Sequence, residues 1–536
     1  MQNILSFLIL VPLLGSLAAL LIPSKKVSAF RWLALGAVCV QLVLFVLLLR
    51  NYQPEIGLQF IEQRLWISLD LGSWGVLKAD YLLGVDGMSL PLVGLSIFIM
   101  LIACISSWHT LSNVKGYFSL LLLLNASIIG TFTAVDFLLF YLFFEFMLLP
   151  MFFLIGIWGG ARREYASIKF FLYTLLGSIL ILIVLIGLYL SVNDPSGAGG
   201  LVHTFNMIHM ANPANYISNT ILDPNNMITI GPLSARAWAF LFLFFGFAIK
   251  LPMVPLHTWL PDAHVDASTP VSIILAALLL KIGAYGLLRI VYPIFPEAAV
   301  QFSTMVAVFG VVSILYGALA AMASKDLKRM IAYSSVSHMG FVLLGLASVT
   351  TEGVTGAVYQ MLSHGILSGM LFILAGVLYD RTADRSIRNY SGLASKMPLY
   401  FVTVLIAFFA SLGLPAFSGF IAEVMVLLGA FKSNAHNGLI HESLAVLATI
   451  GLIFGAAYFL WAIQRMFFGP FDVKGVAKKL ELPDLDNREL LMLIPPCIIT
   501  FIFGVYPQPL LDFINPFASD FVNHVITQAK ILSAHP

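Results

Sequence analysis

Four ionisable side chains stand inside or at the end of long apolar runs, and each has the chemistry to carry a proton. Glu145 lies in DFLLFYLFFEFMLLPMFFLIGIW, Lys281 in VSIILAALLLKIGAYGLLRIVY and Glu423 in FASLGLPAFSGFIAEVMVLLGAF, while Lys250 closes AWAFLFLFFGFAIK. A charged group at the centre of a bilayer costs about 2.5 kcal/mol or more by insertion scales, so such a residue faces a protein interior with a partner. For Glu145 the sequence leaves open a structural ion pair, a glutamate kept neutral, and a proton carrier.

Lys281 follows about ten mostly apolar residues, and Arg289 comes eight positions later. An amine this far from either end of a span cannot easily snorkel to water, and a counter-carboxylate that approaches or withdraws would make it take up or release a proton. Lys250 is followed at once by LPMVPLHTWLPDAH, where Pro252, Pro255 and Pro261 cannot sustain an unbroken helix. Broken membrane helices are tolerated where they line a protein interior or a water-filled cavity, which is where transporters place ion sites; the alternative for Lys250 is snorkelling from a span end. Gly413, Pro415 and Gly419 interrupt a second span just before Glu423. Two broken spans in corresponding places point to an inverted-repeat transporter, although no residue-level repeat is visible.

Histidines add relay candidates: His338 and His364 in otherwise apolar spans, and His257 and His264 after the first break. Each could equally be a core histidine satisfied by a carbonyl. No pair has the i, i+4 spacing beside a carboxylate that marks a zinc helix, so no metal is expected.

The elements that must position these groups are membrane helices. Of 536 residues, 60% are hydrophobic and only 10% charged, far below the roughly 25% charged residues of ordinary domains. Apolar runs of about 20 residues begin near 3, 30, 84, 117, 137, 168, 237, 271, 299, 329, 354, 399, 443 and 488, which makes about 14 transmembrane helices and an all-α integral membrane protein. The first run lacks a basic leader and is expected to remain as a span. With the N-terminus outside, the inward loops hold nineteen Lys and Arg, the outward segments seven and the spans two, accounting for all 28. The inward excess is expected to put both termini on the periplasmic side of the membrane, or its equivalent. Lys328, Lys478 and Lys479 are counted inward, and Arg236 and Arg289 outward.

The connections at about 50 to 83 and 192 to 236 read as loops or partner surfaces. The stretch PLLDFINPFASDFVNHVITQAKIL is amphipathic, and either lies along the membrane interface or docks on a partner helix. Cys39, Cys104 and Cys497 read as small buried hydrophobes. Net charge is +2 with no basic stripe, which argues against nucleic acid as a partner. No GxGxxG, GxxxxGK[ST], CxxC or CxxCH occurs in a context that would hold NADH, ATP, an iron-sulfur cluster or haem.

The stretch KLPMVPLHTWLPDAHVDASTPVSIILAALLLKIGAYGLLR (250 to 289), with SKDLKRMIAYSSVSHMGF (324 to 341) and GLPAFSGFIAE (413 to 423), resembles the antiporter-like membrane subunits of respiratory complex I, the NADH:quinone oxidoreductase. The likeness covers nearly the whole chain. Glu423 points to the M-type branch, because the L-, N- and Mrp-type chains typically have lysine there, and no long lateral helix follows. The resemblance implies two inverted five-helix repeats, broken helices 7 and 12, and the division 1–116 (helices 1 to 3), 117–292 (first repeat), 293–470 (second repeat) and 471–536 (last helix and C-terminal segment). It implies that Glu145 and Lys250 pair, that Lys281 is the central proton carrier, that Glu423 ends the channel toward the outside, and that His338 and His364 connect proton-loading water to this axis. The implied partners are other membrane subunits, above all neighbouring antiporter-like ones. NADH, FMN, iron-sulfur clusters and quinone would be held by other subunits, with no cofactor in this chain. The alternatives are an Mrp-like sodium/proton antiporter subunit, a membrane hydrogenase subunit, and a passive scaffold.

Overall fold

In hydrocarbon no water can satisfy a free backbone group, so an apolar run must close its own hydrogen bonds and become a helix. The computed structural model describes residues 3–70, 76–110, 112–195, 202–225, 228–474 and 482–533. Lys478, Lys479 and parts of the second long connection, 196–201 and 226–227, lie outside the described residues. In chain order the helices are α1 (Ile4–Leu21), α2 (Val27–Asn51), α3 (Ser89–His109), α4 (Val114–Thr133), α5 (Phe137–Trp158) and α6 (Arg163–Ser191). Then come α7 (Ala235–Lys250), α8 (Trp259–Asp266), α9 (Thr269–Ile294), α10 (Ser303–Ala323), α11 (Leu327–Ser348) and α12 (Thr351–Thr382). The series ends with α13 (Pro398–Ser411), α14 (Ser418–His436), α15 (Glu442–Phe467), α16 (Asn487–Val505) and α17 (Gln508–Ser533). Twelve of these are long and apolar enough to cross a membrane, and the pairs α7/α8 and α13/α14 are the two interrupted runs. The chain is a multi-pass membrane protein.

Helix starts carry local reasons. Asp136 caps α5 through Leu139 N, Asp326 caps α11 through Arg329 N, and Asp486 with Glu489 forms a capping box on α16. The interruptions satisfy their freed groups locally: Trp259 Nε1 donates to Ile249 O at 2.9 Å, and Ser313 Oγ accepts from Val254 N at 3.0 Å.

Burial sorts the helices into shell and centre. Only 22% of the most apolar window of α2 is buried, whereas the windows of α9 and α12 are 100% buried and that of α11 is 94%. Polar groups on α9, α11 and α12 therefore sit inside protein. The shell presents its large apolar residues outward, Leu21, Trp32 and Ile453 among them, as a lipid-facing surface requires. Cys104 is buried and Cys497 half-buried, but Cys39, expected inside, is exposed on α2, where an apolar position need only face lipid.

The first long connection is not a loop. It forms the antiparallel hairpin β1 (Gln59–Asp70) and β2 (Val76–Val85), with Arg64 opposite Tyr81 and Leu65 opposite Asp80. Glu62 anchors it by accepting from Leu5 N at 2.7 Å and from the Ser6 hydroxyl. Lys78 joins Asp194 at 2.7 Å, and that hydrogen bond raises the lysine's pKa above its usual 10.5. The amphipathic C-terminal stretch is α17, which folds back on this chain's own α12 and on the turn Pro296–Gln301, burying Leu510, Ile514, Ala518 and Phe521. Arg236 and Lys328, expected in loops, are 4% and 2% exposed; Arg236 pairs with Glu297 at 2.6 Å.

Candidate functional site

α9 is not uniformly α-helical. Its segments Leu275–Leu279 and Leu287–Val291 wind as π-helix, a wider turn that is frequent at functional positions. Lys281 sits between them, fully buried. Its ammonium donates to Ala276 O at 2.6 Å and lies 2.7 Å from His364 Nδ1 on α12. Gly283, two residues on, lets α9 approach the end of α7: a Cβ there would fall 2.6 Å from Leu251 N and 2.7 Å from Phe247 O.

From His364 the polar groups continue across the bundle. The rings of His364 and His338 stand 5.3 Å apart, nearly edge to face. His338 Nε2 lies 3.1 Å from Ser411 O, the carbonyl at the end of α13, and 3.8 Å from Glu423 Oε1. The break between α13 and α14 thus supplies both a free carbonyl and the space for the carboxylate. Gly413 turns there with φ +77°, and a Cβ on it would collide with Glu423 Oε2. Lys281, His364, His338 and Glu423 form one buried series, each within reach of the next, spanning α9, α12, α11 and α14. Such a row can pass a proton stepwise, because a lysine, two imidazoles and a carboxylate each have a protonated and an unprotonated form.

Glu145 and Lys250 are neighbours without an ion pair within 4.0 Å among the described contacts. The Lys250 ammonium instead donates to Phe144 O at 3.1 Å and sits 3.0 Å from the centre of the Phe144 ring, a cation–π contact. Glu145 Oε1 is buried with no hydrogen-bond partner. The two groups are placed to join, and Oε1 of the carboxylate has no hydrogen bond to any described residue.

His264 and His257 fall beside the first break. His264 stacks flat on Phe372 at 4.3 Å with both ring nitrogens buried and without a hydrogen bond to any described residue, and His257 packs against Tyr316 and Tyr333 beside the Pro255 backbone. The structure adds Lys328, whose ammonium donates to Ala267 O at 3.0 Å, with His264 within electrostatic reach of both Lys328 and Lys281. Its signal was Asp326: a capping aspartate two positions earlier places Lys328 inside the helix. A buried hydroxyl string, Ser363 to Ser418 to Thr500 with 2.8 Å steps, begins one residue from His364. Nothing in the sequence marks it, since serine and threonine in helices usually bond the carbonyl one turn back.

Residues 134–450 match the family described as NADH:quinone oxidoreductase/Mrp antiporter, TM. NADH-quinone oxidoreductase subunit M of Rhodobacter capsulatus is 40% identical over 534 residues, covering 98% of this chain and 97% of its own length. NADH-ubiquinone oxidoreductase chain 4 of Chondrus crispus is 37% identical over 509 residues, 94% of this chain and 95% of that one. A chain of respiratory complex I from Thermus thermophilus superposes with a TM-score of 0.80 at 29% identity, covering 97% of this chain and 99% of its own. A chain of the Mrp complex from Dietzia shares the fold, with a TM-score of 0.79 at 21% identity. The buried row, which ends at the second helix break, thus belongs to a chain that is a member of the NADH:quinone oxidoreductase/Mrp antiporter family, on the subunit M side of it.

Proposed function

We propose that this chain is a proton-translocating membrane subunit of an NADH:quinone oxidoreductase, and that Lys281, His364, His338 and Glu423 carry the proton across its centre. The observation that carries the reading is the unbroken series of titratable groups from the π-flanked Lys281 to Glu423 at the second helix break. Redox chemistry elsewhere in the complex brings Glu145 and Lys250 together or apart. Closing the pair holds a positive charge near Glu145, and opening it moves that charge toward Lys281, which then yields its proton to His364. His338 relays it to Glu423, which releases it outward. The redox groups, NADH, FMN, iron-sulfur clusters and quinone, belong to other subunits. Its partners are those subunits, neighbouring antiporter-like chains above all.

The twelve uninterrupted helices and the two broken ones make fourteen spans in this reading. They divide as 1–116, 117–292, 293–470 and 471–536. In both central units the fourth helix is the broken one, which supports an inverted repeat. Both termini face the periplasm, given the Lys/Arg excess on the opposite side. The test is NADH-driven proton uptake in membrane vesicles carrying Glu423→Gln, with assembly checked on native gels. Loss of uptake in an assembled complex supports the reading. Sodium-dependent proton exchange without NADH would replace it with an Mrp-type antiporter, and normal uptake would leave a scaffold.

A further inference from the structure

Arg388, Arg465 and Lys474 converge on a cleft of about 510 Å3 at the Lys/Arg-rich end of α15. Their arrangement follows from the fold. Arg465 and Trp461 lie one turn apart on α15, while the short antiparallel pairing of Tyr390 with Val473 brings Arg388 and Lys474, which flank the two strands, to the same opening.

At this end of the molecule Arg381 holds Glu489 at 2.7 Å, Arg385 holds Asp326 at 3.2 Å and Lys169 holds Asp262 at 2.7 Å, whereas Lys325, Lys396 and Arg488 stand singly with no ion pair to a described residue; what sets the cleft apart is that three such cations share one opening. The side chains of Arg388, Arg465 and Lys474 make no hydrogen bond or ion pair with any described residue, and among the described residues that line the cleft Asp472 is the one carboxylate. Three like charges around one opening repel unless an anion lies among them. Their unshared donors fit a phosphate, which guanidinium groups grip with two parallel hydrogen bonds.

The cleft also lies at the C-terminal end of the apolar span Glu442–Phe467, to which Trp461 and Arg465 belong. Trp461 is 36% exposed at its rim, and along the same face of α15 Ile450 and Leu447 are 36% and 42% exposed. A tryptophan at the interface above an apolar track is the setting of a lipid headgroup with its chains running down the helix. We propose that this cleft binds the phosphate of an anionic phospholipid, with the acyl chains lying along Ile450 and Leu447. The site is independent of the proton row.

The test uses the whole complex in detergent, titrated with phosphatidylglycerol and followed by native mass spectrometry, alongside phosphatidylcholine and the soluble headgroup analogue glycerol 3-phosphate. The expected result is one retained phosphatidylglycerol that phosphatidylcholine does not replace and glycerol 3-phosphate does not displace. Substituting R388Q, R465Q and K474Q together weakens it by at least about a hundredfold, while R388K with R465K, which keeps the charge but loses the paired donors, weakens it less. Unchanged retention in the triple glutamine variant, or equal displacement by glycerol 3-phosphate, overturns the proposal. So does a photo-crosslinker at Trp461 that captures a neighbouring subunit instead of lipid in the assembled complex.

Discussion

The ammonium of Lys281 lies 2.7 Å from Nδ1 of His364, with both side chains sealed inside the helices that bury them. At this distance the proton they share passes from one to the other by a small shift of either ring or stem, and no water is required between them. The next group along, His338, is reached by ring-to-ring approach and not by a direct hydrogen bond. A turn of either imidazole, or one water, completes that step.

His338→Gln keeps a polar side chain of similar reach near Ser411 O but removes the titration. NADH-driven proton uptake is expected to fall at least about tenfold, in the range lost when a positioned proton-transfer group is removed. Assembly on native gels stays normal. Uptake at the wild-type rate would take His338 out of the row.

Gly413 is held at φ +77° with the Glu423 carboxylate against it, whereas Gly438, at φ +70°, has open space around its Cβ position. Both alanine variants bear backbone strain of about 1–3 kcal/mol, visible as lower thermal stability of the isolated complex. Only Gly413→Ala also displaces Glu423, so it alone should cost proton uptake. Equal activity of the two variants would separate Glu423 from the break.

Removing the Phe144 ring frees the Lys250 ammonium of a desolvated cation–π contact, about 2 kcal/mol, without touching the carbonyl that also holds it. Phe144→Leu should favour the closed Glu145/Lys250 pair and slow turnover, while Phe144→Tyr stays near wild type. Stopped-flow quinone reduction by the assembled complex measures it.

The Lys78–Asp194 tie has a pH sign. Lys78 is raised above 10.5 in the folded chain, so the tie is complete below about pH 10.5 and is lost as pH climbs through the raised value. Protease cutting within the β1/β2 hairpin should be flat from neutral pH upward and rise only in strong alkali. Asp194→Asn should already show the faster cutting at neutral pH.

Lys281 and Glu423 were legible because a charge inside an apolar run stands out against everything around it. The starts of the spans, read from hydropathy, fall within five residues of the observed helices, since the bilayer allows little else. The hairpin was read as a loop or partner surface because QFIEQRLWISLD alternates apolar and polar residues only over 67–70, too short a stretch to mark a strand. Lys328 was hidden among cations counted at a span end, where burial depends on how α8 packs over α11 and not on composition. The open state of Glu145 and Lys250 is a matter of side-chain direction, and the Ser363–Ser418–Thr500 string of three helices meeting; neither leaves a mark in a single sequence.

The most direct measurement is NADH-driven proton uptake by vesicles in which the complex carries Lys281→Ala, with assembly confirmed on native gels and quinone reduction followed in parallel. The buried row predicts an assembled complex that has lost proton uptake and with it most quinone reductase activity. An assembled Lys281→Ala complex that pumps and turns over like wild type would contradict it.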